Sequence, residues 1–313
     1  MASSEAKHIG LLIGNESSWP PAFMRAVQKQ NPNVNAELVK LERVTVDDSF
    51  PYDVIIDRMS HNIPFYRVFL KFAVIRGTYP INNPFIWSSD DKFFGISLLN
   101  AVGMTTPKTI LLPNKSVVAD TTPESFRNLK YPLNWEAIVD YVGVPAIFKD
   151  AHTGGRRLAV RVHNVDELID QYDRSGTLTM ILQEILEGDQ HLHCFVVGDS
   201  DLMISEYSFE NARYLEAEPA VSKSLRAKIE AQAMRVTNIF GYDVNMVEFV
   251  VKDGEPIIIN PSNPAPQISL SIFSPRDFQW CVEQLASLAI RRAYDPRPVV
   301  QTIDWNNRLQ KAE

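Results

Sequence analysis

The chain has 313 residues, of which 45% are hydrophobic and 22% charged, and its formal net charge is −7. That length allows two or three packed units, and the composition is that of a globular protein, not a disordered or fibrous one. The acidic balance argues against a nucleic-acid partner, which would demand a surplus of Lys and Arg.

The two cysteines, Cys194 and Cys281, are far apart and lack metal-type spacing. They read as small core residues, and without a disulfide framework the expected compartment is reducing. "MASSEAKHIGLLIG" opens polar and carries only a short apolar run, so it reads as neither signal peptide nor membrane span. A cytoplasmic protein with no membrane partner is the expectation.

In chain order, "HIGLLIG" (8–14) predicts a buried strand and "WPPAFMRAVQKQ" (19–30) a helix with prolines in its first turn. "NAELVKLE" (35–42) and "DVIIDRM" (53–59) predict further strands. "PFYRVFLKFAVIRG" (64–77) predicts a helix stopped by Gly77, and "DDKFFGISLLNAVG" (90–103) one closed by Gly103. Such alternation implies a parallel sheet covered on both faces. Its ligands tend to bind at loops leaving the carboxyl ends of strands, where "SHN" (60–62) falls.

From about residue 105 the pattern changes. "VPAIFKD" (144–150) and "LAVRV" (158–162) predict short strands joined by "AHTGGRR", and a helix follows with Asn164 and Glu167 placed as a capping box. "TMILQEIL", "LHCFVVGD" and "DLMISEYS" predict three strands. "SKSLRAKIEAQAMRVTNIFG" (222–241) predicts a long helix between an Ser222 cap and Gly241. "VNMVEFVV", "KDGE" and "PIIIN" predict a hairpin, and a last helix covers about 276–294 before a polar, proline-broken tail.

Three segments carry possible chemistry. "FKDAHTGGRR" sets Lys149 at a strand end and Gly154–Gly155 at a hairpin tip, where bare backbone N–H groups can approach phosphate oxygens beside Arg156 and Arg157. Alone, it reads as well as an ordinary hairpin with solvated arginines. "QEILEGDQH" can offer backbone groups to an adenine edge, or be a strand leaving the core. "MVEFVVKDGEPIIIN" sets Glu248 and Asn260 on the two arms of a hairpin, as oxygen ligands for a hard cation or as an ion-pair partner and a turn cap. The six histidines form no convincing metal cluster by spacing, with His191 and His193 alternating on one strand face.

In order, a helix opening "DDK", a lysine before a glycine hairpin, "QEILEG" and "VEF…IIIN" resemble the ATP-grasp superfamily, over roughly residues 8–295. The flavour is that of the glutamate-ligase and glutathione-synthetase-like branch. The resemblance implies an α/β ATP-grasp architecture: an N-terminal parallel α/β domain (1–104), a small central lobe with a glycine-rich lid (105–180), and a C-terminal lobe with metal hairpin and tail (181–313). It implies ATP and Mg²⁺ as cofactors, with Lys149, Lys92, Gly154, Gly155 and Arg156 at the phosphates. Gln183, Glu184 and Leu186 fall at the adenine, and Gln190 stands where an acid usually holds the ribose. Glu248 and Asn260 become the metal ligands, Arg58 a receptor for a substrate carboxylate, and Arg213 a basic group near the transferred phosphate. A homodimer is the assembly it implies.

Two positions depart from that pattern. Ile258 stands where the family's bridging glutamate belongs, and Met246 where an arginine often steadies the tetrahedral intermediate. Asp243, Asn245 and Asn263 are candidates to compensate with oxygen, and His152 or Arg157 with charge. The activity implied is ligation of a carboxylate and an amine, from an amino acid or short peptide, through an acyl phosphate. The alternatives are a weak or inactive ATP-binding protein of the same fold, and a kinase acting on a hydroxyl.

Overall fold

A computed structural model describes residues 6–86, 92–116, 119–152 and 159–299. The lid residues Gly154, Gly155, Arg156 and Arg157, the Asp-Asp pair before Lys92, and most of the polar tail lie outside the described residues. The chain divides into two compact units, each assembled from separated segments: 1–87, 190–249 and 262–313 in one, 88–189 and 250–261 in the other.

The first unit begins as the alternation predicts. Strands β1 (Lys7–Leu12), β2 (Val34–Leu38), β3 (Val54–Asp57) and β4 (Tyr79–Ile81) form a parallel sheet in the order β2-β1-β3-β4. Every residue of β3 is buried, as a parallel strand covered on both faces should be. Helix α1 (Trp19–Gln30) starts on prolines and buries Trp19, Phe23, Ala26 and Val27, a stripe at helical spacing. Helix α2 (Pro64–Ile75) covers the opposite face with Phe69, Leu70 and Ala73 against Leu12 and Ile55. It ends at Gly77, whose φ of +95° suits a residue without a Cβ.

The remaining elements of this unit are β9 (Gln190–Val197), β10 (Asp201–Ser208), β11 (Arg213–Tyr214), α6 (Lys223–Phe240) and most of β12 (Val244–Lys252). They join β13 (Glu255–Asn260) in a sheet of order β11-β10-β9-β12-β13. Ser222 accepts the Leu225 N–H at 3.1 Å at the start of α6, and Gly241 closes it in the left-handed conformation. Helix α7 (Pro275–Tyr294) packs against α1 and against β1, β3 and β4. One core cluster joins Trp19 and Phe23 to Leu285 and Ala289 of α7, and to Phe195 and Met246 of β9 and β12.

The second unit contains α3 (Lys92–Ala101), β5 (Thr109–Leu112), α4 (Trp135–Val142), β6 (Ala146–Asp150), β7 (Ala159–Val162), α5 (Val165–Arg174) and β8 (Met180–Glu184). The strands make an antiparallel sheet in the order β5-β8-β6-β7. Phe148, Met180 and Leu182 pack with Val142, Leu168 and Tyr172 of α4 and α5. Asn164 caps α5 by accepting the Glu167 N–H at 2.9 Å, while the Glu167 carboxylate reaches back to the His163 N–H. No helix among the described residues is long and apolar enough to cross a membrane.

Candidate functional site

In the second unit the side chains alternate across the sheet, so the strand positions beside Phe148 and Leu182 face away from α4 and α5. Lys149 and Gln183 occupy that face and meet there, with Lys149 Nζ donating to Gln183 Oε1 at 2.8 Å. Gln183 is buried, and its Nε2 donates to Thr109 Oγ1 at 3.1 Å. Both ends of the amide are engaged, so Gln183 orients the lysine. Lys92, the first residue of α3, donates from Nζ to the Asp150 carbonyl at 2.8 Å and from its backbone N–H to the Ala151 carbonyl at 3.0 Å. Two ammonium groups are thereby fixed around the end of β6.

Glu184 closes β8 with its carboxylate accepting the Lys108 N–H at 3.0 Å. Leu186 lies in the irregular stretch beyond it, half-buried. That stretch is held where Asp189 donates its N–H to the Val251 carbonyl at 2.9 Å. Gly188 is required there, because a Cβ would lie 2.2 Å from the Val251 oxygen. Asn260 ends β13 two residues after Ile258, which is buried at 1% exposure.

In the first unit, β9 and β12 bring together side chains that lie more than fifty residues apart. His193 Nε2 is 3.8 Å from Glu248 Oε2, and His193 Nδ1 is 2.8 Å from Tyr214 Oη. The ring of His193 stacks on Tyr207 with centroids 5.0 Å apart. Tyr214 Oη in turn donates to Met246 Sδ at 3.4 Å. Met246 shares the face of Glu248 and is buried in the cluster that contains Phe195 and Phe273. His191, two residues from His193, packs edge-on against Phe209. Burial lowers its imidazole pKa, with Glu248 and Glu206 opposing the shift.

Gln190 falls on the opposite face of β9 from the histidines and donates to Glu206 at 3.1 Å. Arg213 is exposed on β11, 3.4 Å from Glu216. Arg58 is buried at 6% exposure behind the end of β3. Its guanidinium forks onto Glu16 at 2.5 and 3.1 Å, donates to the Pro266 carbonyl at 2.5 Å, and lies 5.3 Å over the Trp19 ring. Beside it, Asp57 accepts the backbone N–H groups of Met59 and Ser60 and the Ser60 hydroxyl. Sequence reasoning missed Glu16, whose only signal was an acid two residues past the end of an apolar run.

The compensating groups are committed elsewhere. Asp243 is buried and bound by Arg292 at 2.7 Å and by the Tyr79 hydroxyl. Asn245 accepts the Asn263 N–H at 2.9 Å and donates to Thr237 at 3.2 Å. His152 N–H is taken by Asp150 at 2.8 Å. The magnesium set that the resemblance implies therefore does not fit these residues: Glu248 supplies a carboxylate and Asn260 an amide, but the bridging acid is a core isoleucine. No group of three or more His, Cys, Asp or Glu side chains placed to hold a metal occurs among the described residues.

No family model matches the chain. A D-alanine–D-alanine ligase from Ralstonia nicotianae is 23% identical over 208 residues, covering 56% of this chain and 62% of that ligase's own length. A RimK-domain ATP-grasp protein from Sphaerobacter thermophilus superposes with a TM-score of 0.66 at 17% identity, over 90% of this chain and 99% of that one. The D-alanine–D-alanine ligase from Bacillus anthracis complexed with ATP gives 0.65 at 14% identity, over 93% and 100%. The VanG D-Ala:D-Ser ligase from Enterococcus faecalis gives 0.64 at 13% identity, over 92% and 99%. With a parallel sheet followed by two further sheets in the orders given above, this chain has the ATP-grasp fold.

Proposed function

We propose that the protein is an ATP-dependent carboxylate–amine ligase. ATP would transfer its γ-phosphoryl group to a substrate carboxylate, giving ADP and an acyl phosphate. An amine then attacks the carbonyl carbon, and phosphate leaves as the amide forms. The observation that carries this reading is the fixed pair of ammonium groups, Lys149 and Lys92, at one end of the sheet β5-β8-β6-β7. Such preorganised charge is what phosphoryl transfer asks of a protein, because it neutralises the phosphate oxygens without reorganising. The fold supports it, since a protein of this fold has been solved with ATP and the relative found by sequence is a ligase.

In this reading Gly154, Gly155 and Arg156 cover the phosphates, Glu184 and Leu186 meet the adenine, and Gln190 the ribose. Gln183 positions Lys149. Arg213 sits at the phosphoryl group, and Arg58, steered by Glu16, at the substrate carboxylate. The substrates are an amino acid or short peptide and an amine. Lys149→Ala is expected to weaken binding of a non-hydrolysable ATP analogue by at least about tenfold, the loss of one charge-assisted hydrogen bond. Calorimetric titration checks it, and unchanged affinity would remove the phosphate assignment.

A second reading, an ATP-binding protein with little ligase activity, is favoured by the buried Ile258 and Met246. Each well-placed stabilising group lost commonly costs about 10²–10³ in rate. Phosphate release that rises on adding an amine supports the ligase. Nucleotide binding without such release supports the second reading.

A further inference from the structure

We propose that Glu248 and His193 form a mixed oxygen–nitrogen site for a first-row divalent ion, one that favours Mn²⁺ or Zn²⁺ over Mg²⁺. This deepens the ligase reading and rests on it only in taking Glu248 as the metal-bearing carboxylate. The fold's expected second acid is absent, because Ile258 is a core residue. The nearest replacement donor within the unit that contains Glu248 is an imidazole nitrogen 3.8 Å away. That separation is too long for an N–H···O hydrogen bond, which spans about 2.7–3.2 Å. Two metal bonds of about 2.1 Å, the usual length to imidazole nitrogen and carboxylate oxygen, bridge it.

The surroundings of His193 are those of a ligand histidine. Tyr214 Oη holds Nδ1 at 2.8 Å, and the Tyr207 ring stacked at 9° fixes the imidazole plane. Anchoring one ring nitrogen in this way orients the other toward the ion. Met246 completes the arrangement: an arginine here would set a second cation beside the site, whereas its sulfur accepts the Tyr214 hydroxyl. His191 presents a further nitrogen on the same face of β9, and its buried Nδ1 has no hydrogen-bond partner among the described residues. Two protein ligands leave the remaining positions to water or phosphate oxygen. Imidazole shifts the preference away from magnesium, which is bound through oxygen, toward the transition ions.

The test is Mn²⁺ binding to the full chain by electron paramagnetic resonance, with and without a non-hydrolysable ATP analogue whose own binding is followed by calorimetry. The expected result is one bound Mn²⁺ with nitrogen hyperfine coupling, displaced by Zn²⁺ but not by about a tenfold excess of Mg²⁺. His193→Gln should remove the coupling, and Tyr214→Phe should lower affinity by about 10–100-fold. The wild-type coupling needs no variant, so a His193→Gln protein that fails to fold leaves the test intact. Coupling that persists in folded His193→Gln, bound Mn²⁺ without coupling, or equal displacement by Mg²⁺ overturns the proposal. No Mn²⁺ binding alongside retained analogue binding overturns it and leaves the nucleotide reading standing; loss of both removes both.

Discussion

Asp57 lies at the carboxyl end of β3, 1% exposed, with two backbone N–H groups and the Ser60 hydroxyl directed at its carboxylate. Burial outweighs those hydrogen bonds and holds its pKa above the ordinary carboxylate value. Between the unfolded and the raised folded value, the folded state binds a proton that the unfolded chain has lost. Stability contributed by this group therefore falls as pH rises through that window. Asp57→Asn keeps acceptor and shape and should flatten this slope, read from urea unfolding at a series of pH values from acid to neutral. A slope unchanged by the substitution would assign it to other groups. At the same scale, burial pushes both the Cys194 and Cys281 thiols up, which fits the core role expected of them from spacing.

At the scale of elements, Ile258 on β13 decides how the hairpin is to be read. Buried at 1% exposure, it occupies a position that would have to desolvate a carboxylate. Ile258→Glu is expected to lower stability by about 3 kcal/mol and to gain no ATP turnover. Urea denaturation and phosphate release check the two parts, and a gain of turnover would instead mark a decayed magnesium site. Much of this level was legible in the sequence. The prolines of α1, the Ser222 cap, Gly241 and Gly77 punctuate their helices where local rules put them. Strands β4, β5 and β11 were not read, since runs of two to four residues show no period. Helix α4 escaped because its eight residues follow a proline-broken stretch and leave only Val142 buried. The pairing of Glu248 with His193 was invisible for a different reason. β9 and β12 become neighbours through a crossover around α6, and nothing local announces which strand lies beside which. Spacing alone treated the two histidines as strand decoration.

On the scale of the molecule, the first unit is sewn together by residues distant in sequence. Asp243 at the start of β12 is bound by Arg292 of α7 at 2.7 Å and by the hydroxyl of Tyr79 on β4, all buried. Asn82 adds to this seam by accepting the N–H groups of Asp243 and Val244 and donating to the Val244 and Pro264 carbonyls. Asp243→Ala leaves the Arg292 guanidinium buried without its main counter-charge and should cost about 3–5 kcal/mol. The unfolding midpoint in urea reads this, and a loss below about 1 kcal/mol would mean that Asp199, 3.7 Å from Arg292, takes over the charge.

The packing of α7 on α1 has a consequence for how the polypeptide is made. A ribosome delivers Trp19 and Phe23 some 250 residues before the Leu285 and Ala289 that share their core cluster. The segment 88–189 supplies nearly all of the second unit and emerges while the first is still lacking its final helix. Vectorial synthesis therefore lets the inserted unit fold first, while the amino-terminal sheet waits with one greasy face uncovered. Nascent chains stalled before α7 are where a holding chaperone would be needed.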